Sequence, residues 1–125
     1  MPVTFSDIHA AAIQTGLAGQ PLCVHASLRS FGHIEGGAET VVEGLLQQGC
    51  TVIVPTHSYG TYHIPAPENG TVDPAVPPYT PDSNAIDAQK MGAIPVYILH
   101  KVGRVRGNHP LDSFTAVGPL ATQLV

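Results

Sequence analysis

"GHIEGGAETVVEGLLQQGCTVIVPT", residues 32–56, decides how this chain reads. A glycine-rich turn leads into helical spacing, a glycine stop, and a β-branched run that ends at Pro55. Val41, Val42, Leu45 and Leu46 fall on one stripe of a helix over 38–48, with Gly49 as its C-cap. "CTVIVPT" is continuously apolar, the pattern of a strand covered on both faces. Upstream, "QPLCVHAS" (20–27) is a second short apolar strand bounded by Pro21. Two buried-type strands joined by a crossover helix predict a parallel βαβ unit.

Working outward, residues 4–18 read as a first helix, capped by Ser6 or Thr4, with Ile8, Ala11, Ala12 and Ile13 on one face. Residues 27–37 form a glycine-rich loop. Residues 58–90 are proline-rich and almost without periodicity: a functional excursion such as a lid, or a disordered insertion. "MGAIPVYILHKVG" (91–103) predicts a third helix, with Pro95 in its first turn and Gly103 near its C-cap. "RVRGNHPLDSF" reads as a charged connection and "SFTAVG" as a strand. After Pro119 the sequence enters the first turn of another helix. The expected class is α/β, a mainly parallel sheet flanked by helices, in one incomplete domain over 1–125.

Composition narrows the function. Apolar residues make up 43% of the 125 and charged residues only 11%, with a net charge of −4. A net acidic chain argues against nucleic acid as a partner. No apolar run approaches the roughly 20 residues that span a bilayer. "MPVTFSDIHAAA" has no basic stretch ahead of an apolar one, so no signal peptide is read and the cytoplasm is expected. Cys23 and Cys50 sit in or beside apolar runs and are expected to be reduced and buried.

The opening glycines pose a chemical question. The stretch is not a Walker A loop, since no Gly-Lys-Ser/Thr follows, and the G-x-G-x-x-G spacing is absent. Gly36 and Gly37 could let a phosphate approach the N–H groups of Ala38, Glu39 and Thr40, or could simply make a strand-to-helix turn. "HASLRSFG" (25–32) follows a strand end, where open α/β sheets bind ligands. It gathers Ser27, Arg29 and Ser30, a set suited to a phosphate, with a solvated Arg29 as the alternative. None of the seven histidines forms an H-x-H or H-E-x-x-H pair. His57 and His63, with Asp73 nearby, are the nearest thing to a ligand set, and no metal is expected. In "NHPLDSF", Pro110 fixes the aim of His109 beside Asp112 and Ser113, as a proton-transfer group or as part of a turn.

Four blocks in order, "VHASLRSFGHIEGGAETVVEGLL", "GCTVIVPTHS", "MGAIP" and "VRGNHPLDSFTAVGPLA", resemble the aminoglycoside 3-N-acetyltransferase family. The resemblance runs from about residue 20 and covers the N-terminal part of the family's domain. It implies transfer of an acetyl group from acetyl-CoA to the 3-amino group of a 2-deoxystreptamine aminoglycoside. It assigns CoA binding to His25, Ser27, Leu28, Arg29, Ser30, Phe31, Gly32, Ile34, Gly36, Gly37, Ser113 and Phe114, and a role at the thioester to His109. Ala26, Val96 and Gly107 depart from the Ser, Glu and Ser frequent in the family. The family's later His- and Glu-bearing segment is not among these residues, and the long loop offers only Glu68, Asp73, Asp82 and Asp87 to a polycation. Three further expectations follow: little turnover by these residues alone, a catalytically dead CoA- or nucleotide-binding fragment as the rival, and self-association through an uncovered sheet edge. A His-dependent metal hydrolase is a third, separate reading.

Overall fold

The structure, a computed structural model, describes residues 1–58 and 75–125. The first helix, α1 (Phe5–Gln14), starts at Thr4, whose hydroxyl accepts from the Asp7 N–H while the Asp7 carboxylate accepts from the Thr4 N–H at 2.8 Å. This reciprocal box satisfies two orphan donors and selects Thr4 over Ser6 as cap. β1 (Pro21–Cys23), α2 (Gly37–Gln47) and β2 (Thr51–Pro55) are the predicted βαβ unit, and β1 pairs parallel with β2, Leu22 opposite Val52. Gly49, at φ +77°, follows the Gln48 C-cap and turns the chain into β2.

The rest of the sheet is antiparallel. β4 (Phe114–Val117) pairs with β2, and β3 (Val105–Arg106) pairs with β4, giving the order β1-β2-β4-β3. The α/β architecture stands, with parallel pairing between the strands of the sheet confined to β1 and β2 among the described residues. The connection from β3 to β4, residues 107–113, is too short for a crossover helix, so the chain can only turn back on itself. β3 itself lies inside the stretch read as a connection. It is two residues long and charged, below any strand signal.

The expected third helix divides. α3 (Ala88–Met91) is capped by Asp87, whose side chain accepts from the Lys90 N–H. Gly92, at φ +90°, breaks the helix, and α4 (Ala93–Leu99) restarts with Pro95 in its first turn. α3 therefore falls within the stretch 58–90 read as loop. Residues 59–74, about half of the stretch read as a lid, are outside the described residues, as are His63 and Asp73. α5 (Ala121–Leu124) is the helix begun after Pro119.

The core fills one face of the sheet. Val52, Val54 and Val117 point to it and meet Ile8, Val41, Val42, Ile94 and Ile98. Cys50 is buried, as expected. Cys23 is exposed, against expectation, because β1 is an edge strand and Cys23, like Ile53 opposite, points away from the core helices.

Candidate functional site

Parallel pairing puts the carboxyl ends of β1 and β2 side by side. The chain leaves β1 through Val24, His25 and Ala26, and β2 through Thr56 and His57. A cleft of about 280 Å³ opens there, lined by Val24, His25, Ala26, Pro55, His57 and the α3–α4 corner. It adjoins a second of about 460 Å³ between Ser27, Leu28 and Arg29 on one side and Gln89, Lys90, Met91 and Gly92 on the other. Ala26, Lys90 and Met91 border both. Together they make a groove at the position where open α/β sheets take ligands.

Arg29 and Lys90 give the groove a cationic character. Arg29 lies in a 3₁₀ turn, Leu28–Phe31, and is exposed. Lys90 is mostly solvated and pairs with Asp87 at 3.3 Å. Burial acts upward on the Asp87 carboxyl, but hydrogen bonds from Lys90 and the charge of its ammonium outweigh it and hold Asp87 below the usual carboxylate range. Phe31 turns away from the groove, into an apolar pocket between α1 and α2 bordered by Ile8, Leu17, Val41 and Leu45. Ser30 is exposed and its N–H is bound to the Ser27 carbonyl at 3.0 Å.

The second half of the glycine-rich loop goes elsewhere. Val3 bridges to Ile34: the Val3 N–H donates to His33 and the Glu35 N–H donates to Val3. Ile34 is thereby pulled into the core at 8% exposure, so its side chain serves packing. Gly36 and Gly37 take φ of +80° and +62°, and a Cβ on Gly36 would lie 2.4 Å from the Thr40 hydroxyl, which itself donates to the Glu35 carbonyl. These glycines meet the demands of a tight helix entry. Gly32, Ile34, Gly36 and Gly37 border none of the clefts described here.

His109 lies in a third cleft of about 380 Å³, with Ile53, Asp112, Ser113, Phe114 and Leu124. Its Nδ1 accepts from the N–H groups of Leu111 (3.3 Å) and Asp112 (2.9 Å). A neutral ring held this way carries its proton on Nε2, which makes that nitrogen a donor. Ser113 is 1% exposed and its hydroxyl is engaged: it donates to the Thr56 carbonyl and accepts from Arg106 Nε, both at 3.0 Å. Phe114 presents its ring to His57, edge to face, with centroids 5.7 Å apart. His57 borders the first cleft and Phe114 the third, so this pair stands as the partition between them.

The structure thus brings His25, Ser27, Leu28 and Arg29 together in one groove, sets His109 and Ser113 across a partition of which Phe114 is half, and draws the later glycines into a turn. Sequence reasoning missed the opposite wall, Lys90 to Ala93. An Asp three residues before a Lys was a readable cap signal, hidden because the helix was started at Met91. No group of three or more His, Cys, Asp or Glu converges on a metal position among the described residues. Nor is any helix among them long and apolar enough to cross a membrane.

Residues 23–125 match the family described as aminoglycoside 3-N-acetyltransferase. The chain is 35% identical over 118 residues to aminoglycoside N(3)-acetyltransferase III of Salmonella sp, covering 86% of this chain and 40% of that protein. It is 29% identical to aminoglycoside N(3)-acetyltransferase IX of Micromonospora chalcea, over 99% of this chain and 47% of that one. Among solved structures, AAC-IIIb in a binary complex with CoASH superposes with a TM-score of 0.80 at 26% identity, over 97% of this chain and 48% of that one. Sisomicin-bound AAC-VIa superposes at 0.78 and 26% identity, over 100% of this chain and 49% of that one. The chain spans less than half the length of these relatives. With the match running through the groove, the His109 cleft and strands β2 to β4, the chain belongs to the aminoglycoside 3-N-acetyltransferase family.

Proposed function

We propose that the chain binds acetyl-CoA in the groove between residues 25–29 and 89–93, as part of an enzyme that acetylates the 3-amino group of 2-deoxystreptamine aminoglycosides. The observation that carries this reading is the groove itself, at the carboxyl ends of parallel strands, with Arg29 on one wall and Lys90 on the other. Two cations lining one cleft suit the phosphates of CoA. The pantetheine arm, running from there past the His57–Phe114 partition, would bring the thioester toward His109. The CoASH complex of a structural relative supports CoA as the ligand, and the sisomicin complex of another supports the substrate class.

The chemistry asks little covalent work of the protein. The neutral 3-amino nitrogen attacks the thioester carbonyl, the N–C bond forms, the C–S bond breaks, and CoA leaves as the thiol. The amine's proton must be taken by a base, and the oxyanion must be steadied. With its proton on Nε2, His109 suits the second task. The first task and the seat of a polycation fall to groups outside this reading. Among the described residues only Asp82 and Asp87 of the loop carboxylates remain, and Asp87 is engaged with Lys90. Binding of CoA without useful turnover by these 125 residues is the expected behaviour. An acetyl-CoA-dependent reaction fits a protein working in the cytoplasm, where that donor is held.

Calorimetric titration with CoA tests the reading, paired with a thiol-release assay using acetyl-CoA and gentamicin-type substrates. Micromolar binding supports it and absence of binding overturns it. Self-association would fall on the edge strands β1 and β3, and sedimentation velocity reads it directly.

A further inference from the structure

The Arg106 side chain is 3% exposed and sits where three segments meet. Nη2 donates to the Thr56 carbonyl just past β2, at 2.7 Å. Nη1 donates to the Ser83 carbonyl at 2.7 Å, and both terminal nitrogens reach the Ala85 carbonyl at 3.4 Å. Nε donates to Ser113 Oγ, the residue that precedes β4. The Tyr79 ring covers the guanidinium at 5.1 Å, and its hydroxyl donates to the Gly107 carbonyl. Two residues away, Arg104 gathers the carbonyls of Pro81, Asp82 and Ser83, with the Asn84 side-chain oxygen at 2.7 Å.

These contacts bear on one wall of the groove. Residues 83–85 run directly into Asp87, which caps α3, and α3 carries Gln89, Lys90 and Met91 to the groove. α3 is four residues long and buries none of them. A helix this short has no stability of its own and takes its position from its tethers. α4, by contrast, is seated in the core through Ile94, Ile98 and Leu99.

We propose that Arg106 is a positioning residue. Its guanidinium fork clamps the Ser83 and Ala85 carbonyls to the end of β2 and so fixes α3, with Lys90 and Met91, at the groove. Arg104 is the outer half of the same clamp. A lysine would keep the charge but cannot spread donors over four acceptors in one plane. The ligand arm of the test rests on the CoA reading, and the exchange arm stands apart from it.

Amide hydrogen exchange in wild type, Arg106→Lys and Arg106→Met reads the clamp directly. The amides of Lys90, Met91 and Gly92 should exchange at least about tenfold faster in both variants, with Val52, Val54 and Ile98 unchanged. Arg104→Gln should give the same pattern, smaller, and serves if Arg106 variants do not fold. Calorimetry with CoA on the same proteins should show about a tenfold loss in affinity. Exchange that rises equally in β2, α4 and α3 would mark a general stabiliser and overturn the proposal. So would unchanged exchange in α3, or loosened α3 with unaltered affinity. Wild-type protein that fails to bind CoA would overturn the ligand assignment alone, and the exchange pattern would still decide the clamp.

Discussion

The Tyr97 hydroxyl on α4 donates to Glu43 Oε1 on α2 at 2.8 Å, and the same oxygen receives the Lys101 ammonium. One carboxylate thus ties the two helices that roof the core. Burial raises the Tyr97 phenol, helped by its hydrogen bond to Glu43 and by the charges of Glu43 and Glu39, to about 12. Burial also acts upward on Glu43, but the Lys101 and Tyr97 hydrogen bonds and the Lys101 charge overcome it and leave the carboxyl below its usual value. Tyr97→Phe removes one donor to a half-buried carboxylate and should cost about 1 kcal/mol in urea denaturation. A variant as stable as wild type would show the bond to be energetically empty.

The same tie sets a pH window. Glu43 is lowered on folding, so its contribution is present above the ordinary carboxylate pKa and fades as pH falls through the folded value. Tyr97 is raised, so its contribution is present below pH about 10 and is lost as pH climbs toward about 12. Stability measured against pH should fall at both ends. Glu43→Gln should flatten the acid limb and Tyr97→Phe the alkaline one. Identical profiles for all three proteins would contradict this.

Gly44 of α2 packs directly against Ile8 of α1. A Cβ there would lie 2.7 Å from Ile8 Cγ2 and 3.0 Å from Ile8 Cβ. Gly44→Ala gains roughly 1 kcal/mol of helix propensity but overpacks a site with no room, so a net loss of about 1–2 kcal/mol is expected. Ile8→Ala removes the nearer Cγ2 and leaves only the Cβ at 3.0 Å, so in that background the loss from Gly44→Ala should shrink. Thermal melts of the four proteins complete the cycle, and additive effects would remove the clash as the cause.

Arg29 and Lys90 line the same groove from separate segments. Arg29→Ala should weaken CoA by about 1–3 kcal/mol, the range of a charge-assisted contact, and Lys90→Ala by less, since its charge is shared with Asp87. If both read phosphates, the loss with dephospho-CoA will differ between them. Calorimetry returning wild-type affinity for Arg29→Ala would take that residue out of the site.

The neutral His109 ring should occupy the Nε2–H tautomer, because two backbone N–H groups point at Nδ1. Nitrogen-15 NMR of the ring reads this directly, and an Nδ1–H signature would refute it. As an oxyanion donor, His109 should be partly replaceable by Gln, which retains an N–H. A general base would not be, and losing one typically costs about 10²- to 10⁴-fold. The thiol-release rate of His109→Gln in a full-length family enzyme carrying this segment distinguishes the two.

The sequence by itself determined the βαβ unit, the helix stripe over Val41 to Leu46, the stop at Gly49, and the family; it narrowed the first cap to Thr4 or Ser6. Each is written in local periodicity, in turn residues, or in the order of four blocks. It also placed His25 to Arg29 at a strand end, because strand termini are local. Tertiary structure alone decided what came together from afar. The antiparallel return of β4 followed from a connection too short to cross over. β3 is two residues recognisable only by their partner. Lys90 became a groove wall because Gly92 broke a helix the spacing had run together. Arg106 lies in the stretch that reads as a charged connection, and only folding supplied the carbonyls of Thr56, Ser83 and Ala85 that satisfy its buried guanidinium. Local pattern records what a residue prefers. Which distant carbonyl or side chain meets it depends on how loops close, and no single stretch of the chain encodes that.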